Sequence, residues 1–238
     1  AQLLRRPFEN PAEDFSRTVA AAGHLFEWIR LTCPDVPVVV VSSAAVYGAG
    51  HDGRIEEESE LRPYSPYGSH KAMLESLAKS YCKNFCLKIA ICRLFSVYGE
   101  GLEKQLIYDL CCKAENAEQN EDRTLELGGT GDELRDWVHV DDVCRLLETV
   151  MRQCDPSCPT FNGGRGQAIS VREVAQSFSR AWGSDFQVQF NGRGRSGDPL
   201  SLVACPKRIQ SLPFEFSIDL DRGLKRVVDY HRQQEAVG

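Results

Sequence analysis

The sequence predicts an α/β fold built on a doubly wound parallel sheet, and three observations carry that expectation. Val38-Val39-Val40-Val41 is an unbroken β-branched run, as in strands that helices cover on both faces. Helical and strand periods alternate with short connections from Glu13 to Phe95, which is how right-handed βαβ units read. The valine run ends in Ser42-Ser43, at the carboxyl end where open α/β sheets place their ligands.

Taken in order, Glu13 to Leu31 carries Phe15, Val19, Ala22, Phe26 and Ile29 at helical spacing. Pro34 to Pro37 turns the chain into the valine strand. Gly48 to Pro66 is a polar loop whose Glu56, Glu57 and Glu58 read as a solvated face. Met73, Leu74, Leu77, Ala78 and Tyr81 mark a helix over Ser69 to Cys82, and Leu87 to Phe95 a second buried strand. Ser96 and the turn Tyr98-Gly99-Glu100-Gly101 follow.

After Gly101, Lys104 to Lys113 reads as a helix and Glu115 to Arg123 as a charged loop. Thr124 to Leu127 and Leu134 to Val140 read as strands around a glycine-rich turn. Asp141 is placed to cap a helix over Val143 to Gln153. Ser170 and Glu173 have capping-box spacing before a helix over Val174 to Trp182. Phe186 to Phe190 alternates as a strand, Arg193 to Pro199 is a Gly/Arg-rich loop, and Asp219 to Gln233 is an amphipathic helix.

The 238 residues are 42% hydrophobic and 26% charged, an ordinary globular composition. A net charge of -6 without a basic stripe argues against nucleic acid as a partner. The longest apolar run, Val36 to Val41, contains a proline and is too short to span a bilayer. Ten cysteines include no CxxC pair, and no histidine pair stands at finger spacing near Cys154 and Cys158. They read as reduced thiols of a cytoplasmic protein without a metal site.

The chemistry concentrates in Ser65-Pro66-Tyr67-Gly68-Ser69-His70-Lys71, read with Ser43 upstream. Tyr67 and Lys71 are four apart, so a helix from Gly68 onward sets them one turn apart on one face. An ammonium beside a phenol favours the phenolate, and a serine at a strand end can share its proton with a substrate hydroxyl. Serine, tyrosine and lysine so placed form an acid/base relay. His70 and His139 read as structural rather than catalytic.

The strings VVVVSSAAVYG, SPYGSHK, RLFSVYGEG, RDWVHVDD and RSGD stand in an order and spacing that resembles the extended short-chain dehydrogenase/reductases. The likeness is to their NAD-dependent sugar-nucleotide epimerases. It implies a partial Rossmann-like sheet over residues 1–101 and a smaller α/β substrate domain over 102–238, from which segments return to the sheet. It also implies that Ser43 is the catalytic serine, Tyr67 the base/acid and Lys71 the lysine on the nicotinamide ribose, with Ser42 and Phe95 at the cofactor. Thr18 aligns loosely with an asparagine near NAD. Ser96 replaces an asparagine that contacts the substrate diphosphate. Arg135, Arg195 and Asp198 match diphosphate and nucleoside contacts, and paired guanidiniums suit a pyrophosphate. The other readings are a salt bridge of Arg135 with Asp132 or Asp136, and a solvated loop for Arg193 and Arg195.

By the same resemblance a Gly-x-x-Gly-x-x-Gly turn should cradle the NAD pyrophosphate, and none occurs here. Gly163-Gly164-Arg165-Gly166 comes after the catalytic motifs, the wrong place for a first βα turn. The chain is therefore expected to be a fragment, or a truncated gene product, opening near the end of the family's fourth strand. Roughly 70–80 residues of the first mononucleotide-binding half would precede it. The family's dehydratases usually carry an acidic residue two positions after the serine, whereas Ala44 and Ala45 follow Ser43. The expected function is thus NAD-dependent C4 epimerisation of a nucleotide-diphosphate sugar by a homodimer; Met73, Leu77 and Tyr81 read either as the dimer face or as internal core. Alternatives are an NADPH-dependent 4-keto-sugar-nucleotide reductase and a non-catalytic sugar-nucleotide-binding protein.

Overall fold

The structure, a computed structural model, describes residues 10–51, 53–120, 123–194 and 199–235. Helix α1 starts where the Asn10 side chain accepts the Glu13 amide (3.2 Å). It runs over Pro11–Phe15, widens into a π-turn over Ser16–Ala20 and resumes as Ala21–Thr32. Strand β1 (Val38–Ser43) pairs in parallel with β2 (Ile89–Leu94). β2 in turn pairs in parallel with β7 (Thr160–Gly163), giving the order β1-β2-β7.

Side chains on β2 alternate between two helix layers. Ile89 and Ile91 pack with Phe26 and Ile29 of α1 and with Leu74 and Ala78 of α2 (Pro66–Phe85). Ala90 and Cys92 pack on the other side with Leu146 and Val150 of α4 (Val140–Met151). Both faces are covered, so apolar residues occupy both phases of the pleat. The burial pushes the Cys92 thiol up to about 12.

β1 is covered on both faces as expected over most of its length: Val38 and Val40 pack toward α1 and α2, and Val39 packs on the α4 side with Ala90 and Cys92. Val41 is 39% exposed and opens onto the cavity described below. Among the described residues β1 has β2 as its strand partner.

Helix α2 begins two residues before Gly68. Ser65 Oγ accepts the Gly68 amide (3.1 Å) and Pro66 fills the first helical position, where its missing N–H costs nothing. Such a cap stabilises a helix by about 1 kcal/mol. Cys86, in a left-handed conformation, closes the other end.

The remaining elements surround a second core. Helices α3 (Gln105–Gln119), α5 (Val171–Trp182) and α7 (Leu220–Glu235) enclose Leu110, Leu125, Phe178, Leu224 and Val228. β4 (Thr124–Leu127) and β9 (Gln187–Phe190) pair in parallel beside them. Ser170 and Glu173 form the expected capping box, with α5 starting directly after Ser170.

Several local readings are corrected. The charged stretch from Glu115 is helical as far as Gln119, because Ala114 and Ala117 are buried in this core. The strand expected over Leu134 to Val140 splits at Asp136 into β5 (Leu134–Arg135) and β6 (Trp137–His139). The Asp136 side chain turns inward and accepts the amides of Arg165 (2.9 Å), Gly166 (2.8 Å) and Ala204 (3.1 Å). His139, not Asp141, caps α4, its Nδ1 accepting the Asp141 amide (3.2 Å). Asp141 lies in the first turn and pairs with Arg226 (2.8 Å). Glu57 is not on a solvated face: it is buried and accepts the Asn162 amide (2.9 Å). Among the described residues no helix is long and apolar enough to cross a membrane.

Candidate active site

β1 delivers Ser43 to the sheet's rim, where Ser43 Oγ accepts the Ala45 amide (3.2 Å) and caps a 3-10 turn over Ala44–Val46. The first turn of α2 lies against that turn because residue 68 has no side chain. A Cβ on Gly68 would stand 2.5 Å from the Ala45 carbonyl oxygen, closer than any real contact. The close approach brings Tyr67 beside Ser43. One helical turn on, Lys71 Nζ donates to the Val41 carbonyl (2.9 Å) and lies over the Tyr67 ring, 5.7 Å from its centroid.

The electrostatics differ from the expectation. Burial pushes the Tyr67 phenol above its ordinary pKa, the Ser43 hydroxyl pulls it down by hydrogen bonding, and the Asp14 carboxylate adds to the rise. The pull toward phenolate from the Ser43 hydroxyl does not overcome burial. Lys71 is itself lowered by burial, against the raising influence of Asp14 and Glu75. Its ammonium is turned to a backbone carbonyl and the ring face.

Ser43, Tyr67 and Lys71 line a cavity of about 1270 Å³ that runs from the rim of β1 to the elements after Gly101. Ser42, Phe95, Ser96 and Arg135 also line it. The Ser42 hydroxyl is committed elsewhere, donating to Glu75 Oε1 (2.6 Å). Arg135 Nη1 donates to the Leu134 carbonyl (2.9 Å). Its two suggested acidic partners are engaged apart from it, Asp136 by backbone amides and Asp132 by Arg172 (3.7 Å). Arg193 lines the same cavity, whereas Arg195 and Asp198 lie outside the described residues.

Thr18 sits half-buried in the π-turn, and the cavity wall from that segment is formed by Asp14 and Arg17 instead. His70 binds Asp14 through Nδ1 (2.5 Å) and meets Phe15 edge-on, so it joins α2 to α1. Asp14, Arg17 and Gln105 are cavity residues that the sequence reading missed. A π-turn is a recurrent mark of functional segments, but no residue type announces it. Gln105 has a φ of 66°, a left-handed conformation that glutamine rarely adopts, and it opens α3 on the cavity wall.

The described residues fit one end of a dinucleotide. Lys71, Tyr67 and Phe95 around the rim offer an ammonium, a hydroxyl and an apolar face, which suit a ribose and an attached aromatic ring. The glycine run after β7 cannot serve as the pyrophosphate cradle, because Asp136 already takes the Arg165 and Gly166 amides that would face a phosphate. A Cβ on Gly164 would also stand 2.5 Å from the Asp136 carboxylate, so this turn is built around a carboxylate.

A parallel α/β sheet with Ser, Tyr and Lys converging at its rim defines a short-chain dehydrogenase/reductase of the extended type. The chain belongs to the NAD dependent epimerase/dehydratase family, whose profile matches residues 2–164. The low-salt glycan biosynthesis protein Agl12 of Haloferax volcanii is 30% identical over 80% of this chain and 60% of its own. A putative UDP-glucose 4-epimerase of Methanocaldococcus jannaschii is 27% identical over 95% of this chain and 73% of its own. A dTDP-glucose 4,6-dehydratase of Streptomyces antibioticus is 28% identical over 84% and 58%, respectively. Among solved structures, MoeE5 in complex with UDP-glucuronic acid and NAD is 32% identical, with a TM-score of 0.79 over 91% of this chain and 71% of that one. The chain thus spans about three fifths of the length of the first of these relatives.

Because the Ser43 hydroxyl offsets part of the rise that burial imposes on the phenol, Ser43→Ala should move the Tyr67 titration to still higher pH. Absorbance titration of the phenolate, with Tyr67→Phe as the blank, reads the shift. An unmoved or lowered midpoint would contradict the contact.

Proposed function

We propose that this chain carries the catalytic half of a nucleotide-sugar 4-epimerase that uses NAD. The observation that favours epimerisation over dehydration is the absence of an available acid beside the relay. Ala44 and Ala45 follow Ser43, and each carboxylate that lines the cavity among the described residues has a partner. Glu13 pairs with Arg17, Asp14 with His70 (2.5 Å) and Asp109 with Lys113 (2.7 Å). Glu133 accepts the amides of Thr130 and Gly131 (both 2.9 Å). Loss of water from a sugar needs a proton donor and acceptor beyond those used at C4, and none of the carboxylates lining the cavity among the described residues is free.

In this reading Tyr67, with Ser43, takes the proton from the sugar's C4 hydroxyl and later returns it to the same oxygen. NAD, when bound, supplies the acceptor and donor of the C4 hydride. Lys71 holds the ribose next to Tyr67, and Phe95 offers the apolar surface for the ring. Arg135 and Arg193, at the far side of the cavity, hold the diphosphate so that the sugar can present either face. Ser96 contributes a hydroxyl where the family has an amide. Arg195 and Asp198 complete the nucleoside end in this proposal. The division at about Gly101, with a substrate domain beyond it, is supported by the cluster around Leu110, Phe178 and Leu224, drawn almost wholly from later residues, while Leu146, Val150, Phe161 and Ile209 return to pack on β2.

The same reading makes a homodimer across α1 and α2. Trp28 is 58% and Met73 49% exposed there. Leu77 and Tyr81 are half-buried, and Tyr81 donates to Glu27 (3.3 Å). A whole protein that sediments as a monomer at every concentration would contradict this interface.

The test uses the whole protein with UDP-sugars, and with a UDP-4-keto sugar plus NADPH for the reductase reading, and reads the products by chromatographic separation and mass spectrometry. Epimerisation leaves the mass unchanged, dehydration removes one water, and reduction at the expense of NADPH adds two hydrogens. Tyr67→Phe should lower kcat by about 10²–10⁴-fold while calorimetry still finds nucleotide-sugar binding. Binding without turnover in the unaltered protein would favour the non-catalytic reading, and an active Phe variant would defeat the assignment of the base.

A further inference from the structure

Below the cavity floor lies a polar network that the relay does not use. Glu75 and Arg93 form an ion pair whose side chains are 1% and 2% exposed, with two hydrogen bonds of 2.9 and 2.7 Å. Ser42 donates to the same carboxylate at 2.6 Å. Ser42 and Arg93 are register partners on β1 and β2, so a single carboxylate from α2 fastens two adjacent strands. Arg93 Nη1 continues to Tyr47 Oη and the Glu57 carbonyl (both 2.8 Å), and Tyr47 donates to Asn162 on β7 (2.6 Å).

The location of this network gives it a purpose. Glu75 is four residues beyond Lys71 on α2, one turn along the same helix face. Ser42 is the immediate neighbour of Ser43. We propose that Glu75, held by Arg93 and Ser42, is a positioning residue that sets Lys71 and Ser43 relative to Tyr67. It fixes the height of α2 over the strand rim and supplies the buried negative charge nearest along the helix to the Lys71 ammonium. A replaceable ion pair would not need to join α2 to both strands at the level of the relay. Buried pairs in general add little stability over apolar residues of similar volume.

The other groups that face Lys71 are Asp14 from α1, which is paired with His70, and Tyr67 on its own helix. Arg17 and Glu13, from α1, pair with each other at the cavity edge. Asp14 remains when Glu75 is removed, so the ammonium keeps one acidic neighbour. Loss of Glu75 therefore moves Lys71 further down in the same direction that burial already moves it.

This inference rests on Tyr67, Ser43 and Lys71 being the proton relay, and its test separates the two. Glu75→Gln strands the Arg93 charge and risks unfolding, so the informative variant is Glu75→Leu/Arg93→Leu, which removes the pair. Lys71 is followed by NMR titration of its side-chain nitrogen without substrate, and turnover is measured on the whole protein. A positioning role predicts a folded double variant with the Lys71 midpoint at lower pH. It also predicts kcat down about tenfold to a hundredfold, with KM for the nucleotide sugar within a few fold. Ser42→Ala, which deletes one hydroxyl and keeps the pair, should move both readouts in the same direction by a smaller factor. A stable double variant, or Ser42→Ala if the double variant does not fold, with unaltered Lys71 titration and kcat overturns the proposal. A shifted Lys71 midpoint in a whole protein without epimerase activity would sink the functional reading and leave this one standing.

Discussion

The site depends on one missing side chain. With a hydrogen at residue 68, the first turn of α2 can touch the Ala45 carbonyl and set Tyr67 against Ser43. Any larger residue must push the helix off the strand rim, and a displacement of about 1 Å is enough to cost a relay of this kind 10²-fold. Ser65 and Pro66 make the same helix begin at that point, one by capping and one by its fixed φ. The local rules of helix initiation and the close packing of two backbones thus act together to place one phenol.

The placed phenol is not thereby activated. Burial opposes ionisation of both Tyr67 and Lys71, and the two feel it in opposite directions. What offsets burial for the tyrosine is a neutral hydroxyl; for the lysine it is carboxylates on α1 and α2. At both groups burial and the polar neighbours thus act against each other. The fully buried Glu75–Arg93 pair beneath them fits the same logic, since breaking such a pair costs about 3–5 kcal/mol although forming it contributes little. Its value lies in having one geometry.

Much of this was legible in the residues because the signals are local and periodic. The β-branched run, the Tyr67/Lys71 spacing and the Ser170/Glu173 box each need only a few neighbouring positions. Other features depend on partners far away in the chain. Asp136 breaks a strand because three amides from two later segments converge on it. His139 takes the cap that Asp141 is spaced to supply, since Asp141 has Arg226 from α7 to answer. Glu57 looked like one of three solvated acids until Asn162, on β7, claimed it. The Tyr67/Lys71 spacing placed both groups correctly, yet it could not reveal that Val41 would occupy the ammonium. Sequence spacing gives proximity, and tertiary partners decide charge.

The central claim is geometric: one sugar hydroxyl should sit between Tyr67 and Ser43 at the carboxyl end of β1. A crystal structure of the whole protein with a UDP-sugar and the cofactor measures this directly. The account predicts Tyr67 Oη and Ser43 Oγ both within about 3.2 Å of the same hydroxyl oxygen, with the diphosphate against Arg135. A sugar bound away from that oxygen pair, with its diphosphate at the rim instead, would contradict it.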